Sequence, residues 1–174
     1  MPSVTSSDTR WRACFDELAP RLLLFARQWI DSVADAEDVV QNAFVRFWRH
    51  QPDAAPEHYP LLYAAVRTAA LDFLRTQGRR RRREEDERVP VLRHDDAVFD
   101  TAVEQRELAQ TLERALERLP QEQREVLVLR IWGDLTFAQI AQLLGESINT
   151  IASRYRYALS ALRRTMNPAL YERV

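Results

Sequence analysis

The sequence predicts an all-α protein: two small helical domains joined by a flexible charged linker, the C-terminal one containing a helix-turn-helix. Three observations predict it. Apolar residues recur at helical spacing in both halves of the chain, and no stretch alternates as a half-buried strand does. Glycine occurs only three times, so hairpin turns are scarce. Between the halves lies RRRRREEDER, a basic block followed by an acidic one, and such blocks are commonly disordered or seek a partner. A chain of 174 residues fits two such units with thin cores.

The first helix carries the stripe Phe15, Leu18, Leu22, Phe25, Ala26 and Trp29. Pro20 lies inside it, and its missing N–H predicts a kink or two short helices. Asp35 is placed to cap the second helix, AEDVVQNAFVRFWRH, whose early acids Glu37 and Asp38 suit the positive end of a helix dipole. Its apolar stripe is Val39, Val40, Ala43, Phe44, Phe47 and Trp48. The other face carries Asp38, Gln41, Asn42 and Val45 at i, i+3, i+4, i+7, an arrangement that is ordinarily just solvated.

QPDAAPEHYP holds three prolines in ten residues and reads as a loop. A third helix from about Leu61 to Gln77 is expected to bury Leu62, Ala65, Val66, Ala69 and Phe73. Thr68, Asp72, Arg75 and Arg79 project from another side, with Asp72 and Arg75 spaced for an i, i+3 pair. Gly78 opens the linker, and VPVLRHDDAVFD has no helical period. The predicted divisions are a first domain at 10–78, the linker at 79–100 and a second domain at 101–168.

In the second half, Leu108, Leu112, Ala115, Leu116 and Leu119 make a stripe that Pro120 ends. Pro120 also opens QEQREVLVLRIW, which stops at Gly133. Thr136 and Gln139 form a capping box for TFAQIAQLL, and Gly145 closes that helix. Ser147 caps the last helix, INTIASRYRYALSALRRTM. Its core face is Ile151, Tyr155, Ala158, Leu159 and Leu162; Asn149, Ala152, Ser153 and Arg156 share another face at i, i+3, i+4, i+7.

Two helices joined by LGES, the second rich in Asn, Ser, Arg and Tyr, form a helix-turn-helix candidate. One face locks a recognition helix to its domain while the other enters the major groove. Arginine pairs with guanine and asparagine with adenine, each through two hydrogen bonds. Arg154, Tyr157, Arg163 and Arg164 flank that face and suit phosphates, which position without specifying. The formal net charge is only −1, yet Ser147–Val174 holds five arginines against the single acid Glu172. All 25 basic residues are arginine. A helical hairpin with a basic solvated face is the plain alternative.

Composition argues against other classes. The start MPSVTSSDTRWRACF lacks the basic opening and apolar run of a signal peptide. No apolar stretch nears the ~20 residues a membrane span needs, so a cytoplasmic protein is expected. Cys14 is the single cysteine, which leaves no intrachain disulfide or cysteine-based zinc site. His50, His58 and His94 are scattered, and Gly78, Gly133 and Gly145 make no phosphate-cradling loop. Asp95 and Asp96 fall in the linker as solvated charge. Neither an enzyme nor a cofactor or metal site is expected.

DAEDVVQNAFVRFWRH resembles the core-polymerase-binding segment of extracytoplasmic-function sigma factors. LYAAVRTAALDFLRTQGRRRRR resembles their segment that engages the melted promoter. LPQEQREVLVLRIWGDLTFAQIAQLLGESINTIASRYRYALSALR resembles their promoter-reading C-terminal domain. The three stand in the family's order over residues 14–166. The resemblance implies an alternative sigma factor that binds RNA polymerase core through its beta and beta-prime subunits, recognises minus-thirty-five and minus-ten promoter DNA and assists melting.

By that resemblance, Asp38, Gln41 and Asn42 dock on the beta-prime clamp. The loop Gln51–Pro60, including His58 and Tyr59, reads the minus-ten element together with Arg67, Thr68, Asp72 and Arg75. Thr136, Asn149, Ala152, Ser153, Arg154, Arg156 and Tyr157 serve the minus-thirty-five element. A base leaving the stack for a protein pocket offsets lost pairing, a few kcal/mol per base. The linker threads toward the polymerase active site and RNA exit path, and a dedicated anti-sigma protein, often membrane-bound, is implied. The chain departs from the family's usual residues at Asn42, Leu61, Thr68, Ala152 and Tyr157, and its arginine at Arg156 stands one place early, a turn of about 100° around the helix. A stand-alone helix-turn-helix regulator is the second reading. It needs a dimer surface and a palindromic operator, and would leave the first domain without a purpose.

Overall fold

A computed structural model describes residues 6–84, 112 and 114–166. The described residues are helices, turns and loops, with no strand among them. The chain divides into two compact units, Met1–His94 and Asp95–Val174.

In the first unit, α1 (Ser6–Ala26), α2 (Val33–His50) and α3 (Tyr59–Glu84) pack around one core, with a 3-10 turn at Pro56–His58. Leu18, Leu22, Phe25 and Ala26 of α1 are buried, as their spacing predicts, while Trp29 is half-buried beyond the helix end. α1 runs through Pro20 as one helix rather than two short ones. Proline costs a helix interior about 3 kcal/mol, and Leu18, Leu22 and Phe25, fully buried on either side, each return about 1.5–3 kcal/mol.

Ser32, not Asp35, caps α2: its hydroxyl accepts the Asp35 N–H at 3.3 Å, so the helix starts at Val33. The acid lies in the first turn, where the dipole favours it. Val39, Val40, Ala43, Phe44 and Phe47 are buried; Trp48 is only partly so, stacked 6.1 Å from Phe44.

α3 is longer at both ends than its pattern predicts. Pro60 sits in the first turn, where its missing N–H has no intrahelical partner to lose. At the other end the helix continues through Gly78 to Glu84. Gly78 is exposed with open space around it, and the arginines that follow are good helix formers. Gly78 therefore does not open the linker, and the segment assigned to residues 79–100 begins in helix; its residues 85–100 lie outside the described residues. The buried stripe is Leu62, Tyr63, Val66 and Ala70, whereas Ala65, Ala69 and Phe73 are only partly covered. The core thus meets α3 on a line rotated from the predicted one.

In the second unit, residues 114–117 form the end of a helix that precedes α4 (Gln121–Ile131), α5 (Phe137–Leu144) and α6 (Ile148–Met166). Leu108, Pro168, Arg173 and the linker acids Asp95 and Asp96 lie outside the described residues. Ala115, Leu116, Leu119, Leu127, Ala158 and Leu162 make one core, with Leu112, Tyr155 and Leu159 packed against it. This bears out the predicted inner face of the last helix. Pro120 caps α4. The Thr136–Gln139 capping box opens α5, and Gly145 ends it in the left-handed region at φ 69°.

Candidate polymerase and promoter interfaces

On α2, Asp38, Gln41 and Asn42 are all exposed, and Val45 is partly so. Burying Val39, Val40, Ala43 and Phe47 on the opposite side fixes this polar face outward. It is a rigid row of one carboxylate and two amides, suited to meeting another helix by hydrogen bonds.

Where α2 meets α3, an open groove of about 400 Å³ is lined by Ala43 and Arg46 from α2 and by Leu61, Ala65, Thr68 and Asp72 from α3. The alanines of this lining are buried or partly so, while Arg46, Leu61, Thr68 and Asp72 are exposed. Thr68 is exposed, its hydroxyl donating to the Ala64 carbonyl at 3.0 Å. Asp72 accepts from Arg75 Nη1 at 3.1 Å, the predicted pair. The structure therefore brings Thr68, Asp72 and Arg75 together. Arg67 is one helical step of about 100° away from Thr68 and half-buried.

His58 and Tyr59 are engaged within the protein. His58 Nδ1 accepts the Ala55 N–H at 3.1 Å, shaping the turn before α3. The Tyr59 hydroxyl lies 3.8 Å from Cys14 Sγ. Burial and the neighbouring sulfur push the Tyr59 phenol up to about 12, and burial raises the Cys14 thiol above its ordinary value. Both groups are therefore neutral at physiological pH.

α5 and α6 form the helix-turn-helix. Thr136 is exposed but occupied with capping: its N–H donates to Gln139 Oε1 at 2.8 Å, and its hydroxyl accepts the Gln139 N–H at 3.2 Å. Gly145 turns the chain, and the Ser147 hydroxyl accepts the Thr150 N–H at 3.1 Å to start α6. Asn149, Arg156 and Tyr157 are exposed, with Ala152 and Ser153 partly so. Burying Ile151, Ala158 and Leu162 turns them outward. The Arg156 guanidinium lies 5.8 Å from the Tyr157 ring centroid, within range of a cation–π contact. Arg154 stands on the flank and is tied: its Nη2 donates to Glu146 Oε1 at 2.9 Å.

In the second unit, two ties between elements lie beyond helical spacing rules. Glu146 is eight residues from Arg154, beyond any i, i+4 rule. Arg130 donates to the Leu135 carbonyl at 2.9 Å and lies 5.4 Å from the Phe137 ring, which itself meets Tyr155 at 5.4 Å. This chain of contacts joins the end of α4 to both helices of the motif. No group of three or more His, Cys, Asp or Glu is placed to hold a metal among the described residues. No described helix is long and apolar enough to cross a membrane.

The sequence matches the family model for Sigma-70 region 2 over residues 14–80 and that for Sigma-70, region 4 over residues 109–162. Among curated proteins, it is 33% identical over 142 residues to the RNA polymerase sigma-E factor of Streptomyces avermitilis, covering 82% of this chain and 76% of that one. It is 31% identical over 160 residues to the ECF RNA polymerase sigma factor SigL of Mycobacterium tuberculosis, covering 89% and 88%. A solved structure of similar fold is the sigma factor RpoE of Bartonella quintana in complex with the anti-sigma factor NepR. It has a TM-score of 0.66 at 21% identity, over 91% of this chain and 98% of that chain. With both regions matched in order and relatives aligned over most of their length, the chain belongs to the extracytoplasmic-function sigma factors, the alternative sigma factors that initiate transcription from promoters.

Proposed function

We propose that the two units divide promoter recognition between them. The first, residues 10–78, docks on RNA polymerase core through Asp38, Gln41 and Asn42. It engages the minus-ten element through the loop Gln51–Pro60, the groove at Thr68 and Asp72, and Arg75 paired with Asp72. The second, residues 101–168, reads the minus-thirty-five element with α6. Asn149, Ser153 and Arg156 face the bases there, while Arg154, Arg163 and Arg164 serve phosphates. The observation that carries this reading is the pair of outward polar faces on α2 and α6, each fixed by a buried face of the same helix. Thr136 contributes by capping α5, and Tyr59 by holding the loop to α1.

Melting then needs no catalytic group in this chain. An unpaired base captured at the first unit offsets the lost pairing and stacking. The protein acts in the cytoplasm, where core polymerase and promoter DNA are, and an anti-sigma protein holds it inactive, as NepR is found with RpoE.

The test uses one promoter with each element varied in turn. Arg156→Ala alters base preference only upstream, and Thr68→Asn or Asp72→Ala only at minus-ten. Substitutions in one unit that change preference at both elements, or at neither, contradict the division.

A further inference from the structure

Helix α1 reaches the loop between α2 and α3 at both of its ends. At the near end, Arg10 Nη2 donates to the Pro52 carbonyl at 2.7 Å and to Asp53 Oδ1 at 2.8 Å. At the far end, Cys14 Sγ lies 3.8 Å from the Tyr59 hydroxyl. Arg10 and Cys14 are four residues apart and so share one side of the helix. One turn of α1 therefore spans the loop. Between these points the loop closes on itself: Ala54 N–H donates to the Gln51 carbonyl at 3.1 Å, and His58 N–H to that of Ala55 at 2.8 Å.

An ion pair with side chains 52% and 92% exposed ordinarily contributes little, because two mobile side chains must be ordered and water screens them. Arg10 is different in two respects. One of its acceptors is a backbone carbonyl, so the contact ties the loop's main chain itself and orders no second side chain. Its guanidinium also lies 6.0 Å from the Trp48 ring centroid. Trp11 and Phe15, stacked on each other 5.7 Å apart, pack edge-on to Phe44 at 5.7 and 4.9 Å, and Phe44 stacks on Trp48. This aromatic column fixes the start of α1 on α2 and aims Arg10 at the loop. Arg10 precedes the residues matched to Sigma-70 region 2, which begin at Cys14.

We propose that Arg10 is a positioning residue, bracing Pro52 and Asp53 so that the loop is set to capture an unpaired promoter base. The inference rests on the reading of this loop as part of the minus-ten surface. In the free loop several backbone arrangements compete, and ordering it at the moment of capture would weaken binding of the melted strand. Bracing it beforehand removes that cost.

The experiment uses full-length protein assembled with the host's core polymerase, as wild type, Arg10→Ala and Arg10→Lys. Three affinities are read: for core, for a duplex minus-thirty-five fragment, and for a single-stranded nontemplate oligonucleotide spanning minus-ten. Arg10→Ala is expected to weaken the single-strand affinity roughly three- to fivefold and leave the other two unchanged. Arg10→Lys, which loses the guanidinium fork but keeps the charge, should recover part of the loss. Unchanged single-strand affinity, or equal losses in all three, overturns the proposal. A wild-type holoenzyme that fails to capture the oligonucleotide overturns the minus-ten reading and the brace with it.

Discussion

Arg154 reaches back across the turn of the helix-turn-helix to Glu146, its Nη2 donating to the carboxylate at 2.9 Å. Side-chain exposures of 26% and 38% leave the pair partly shielded from water. Glu146→Ala is expected to destabilise the second unit by about 0.5–1 kcal/mol, read by thermal unfolding. Arg154→Ala also removes a candidate phosphate contact. It should lower the salt dependence of minus-thirty-five binding by about one unit of slope without changing base preference. A changed preference would move Arg154 from the flank to the bases.

The exposed row on α2 makes no contribution to the core. Asp38→Ala combined with Gln41→Ala should leave unfolding within about 0.5 kcal/mol of wild type. The same variant should weaken binding to core polymerase at least ~10-fold, since polar groups on both sides lose partners. Retained affinity would place the docking surface elsewhere.

Tyr63 is buried at 1% exposure, and burial pushes its phenol up to about 12 from an ordinary value near 10. The folded state thus favours the neutral form. Stability is full below about pH 10 and declines as pH rises toward 12, by roughly 2–3 kcal/mol. Tyr59 adds to the decline in the same direction. The Tyr63 hydroxyl has no hydrogen-bond partner among the described residues. Tyr63→Phe should therefore match or exceed wild type at pH 7, by up to about 1 kcal/mol, and lose less above pH 10. Denaturant titrations at the two pH values check both points.

Two glycines of the second unit should respond differently to alanine. A Cβ at Gly133 would stand 2.6 Å from the Leu129 carbonyl oxygen, and backbone must move to admit it. Gly145 has open space, so its substitution carries only the left-handed strain, about 1–2 kcal/mol. Gly133→Ala is expected to cost about 1–3 kcal/mol and to disturb the entry to α5, weakening minus-thirty-five binding as well. Chemical denaturation and duplex binding of both variants check the contrast.

Local signals made much of this legible. The Thr136–Gln139 box, Gly145, Ser147 and Pro120 act through neighbouring backbone groups, so sequence places them correctly. Choices between near-equal local options were not legible. Ser32 and Asp35 both suit a cap, and only the packing of α2 selects the earlier one. Gly78 disfavours a helix interior by only about 1 kcal/mol, which the helix-forming residues around it offset, so α3 runs through it. Tyr63 rather than Ala65 is buried because α1 offers Phe25 as a neighbour, with ring centroids 5.4 Å apart. At the candidate interfaces, helical spacing gives the outward faces of α2 and α6. It cannot give the long-range ties, Glu146 to Arg154 and Arg10 to the loop, because those depend on how elements are brought together.

As an extracytoplasmic-function sigma factor, this chain gives RNA polymerase its promoter choice. The most direct measurement maps transcript 5′ ends made on genomic DNA by the host's core polymerase with and without the purified protein. New, defined starts are expected that share two upstream elements at fixed spacing and that disappear with Asp38→Ala/Gln41→Ala. Starts identical with and without the protein, under conditions where core is active, would contradict it.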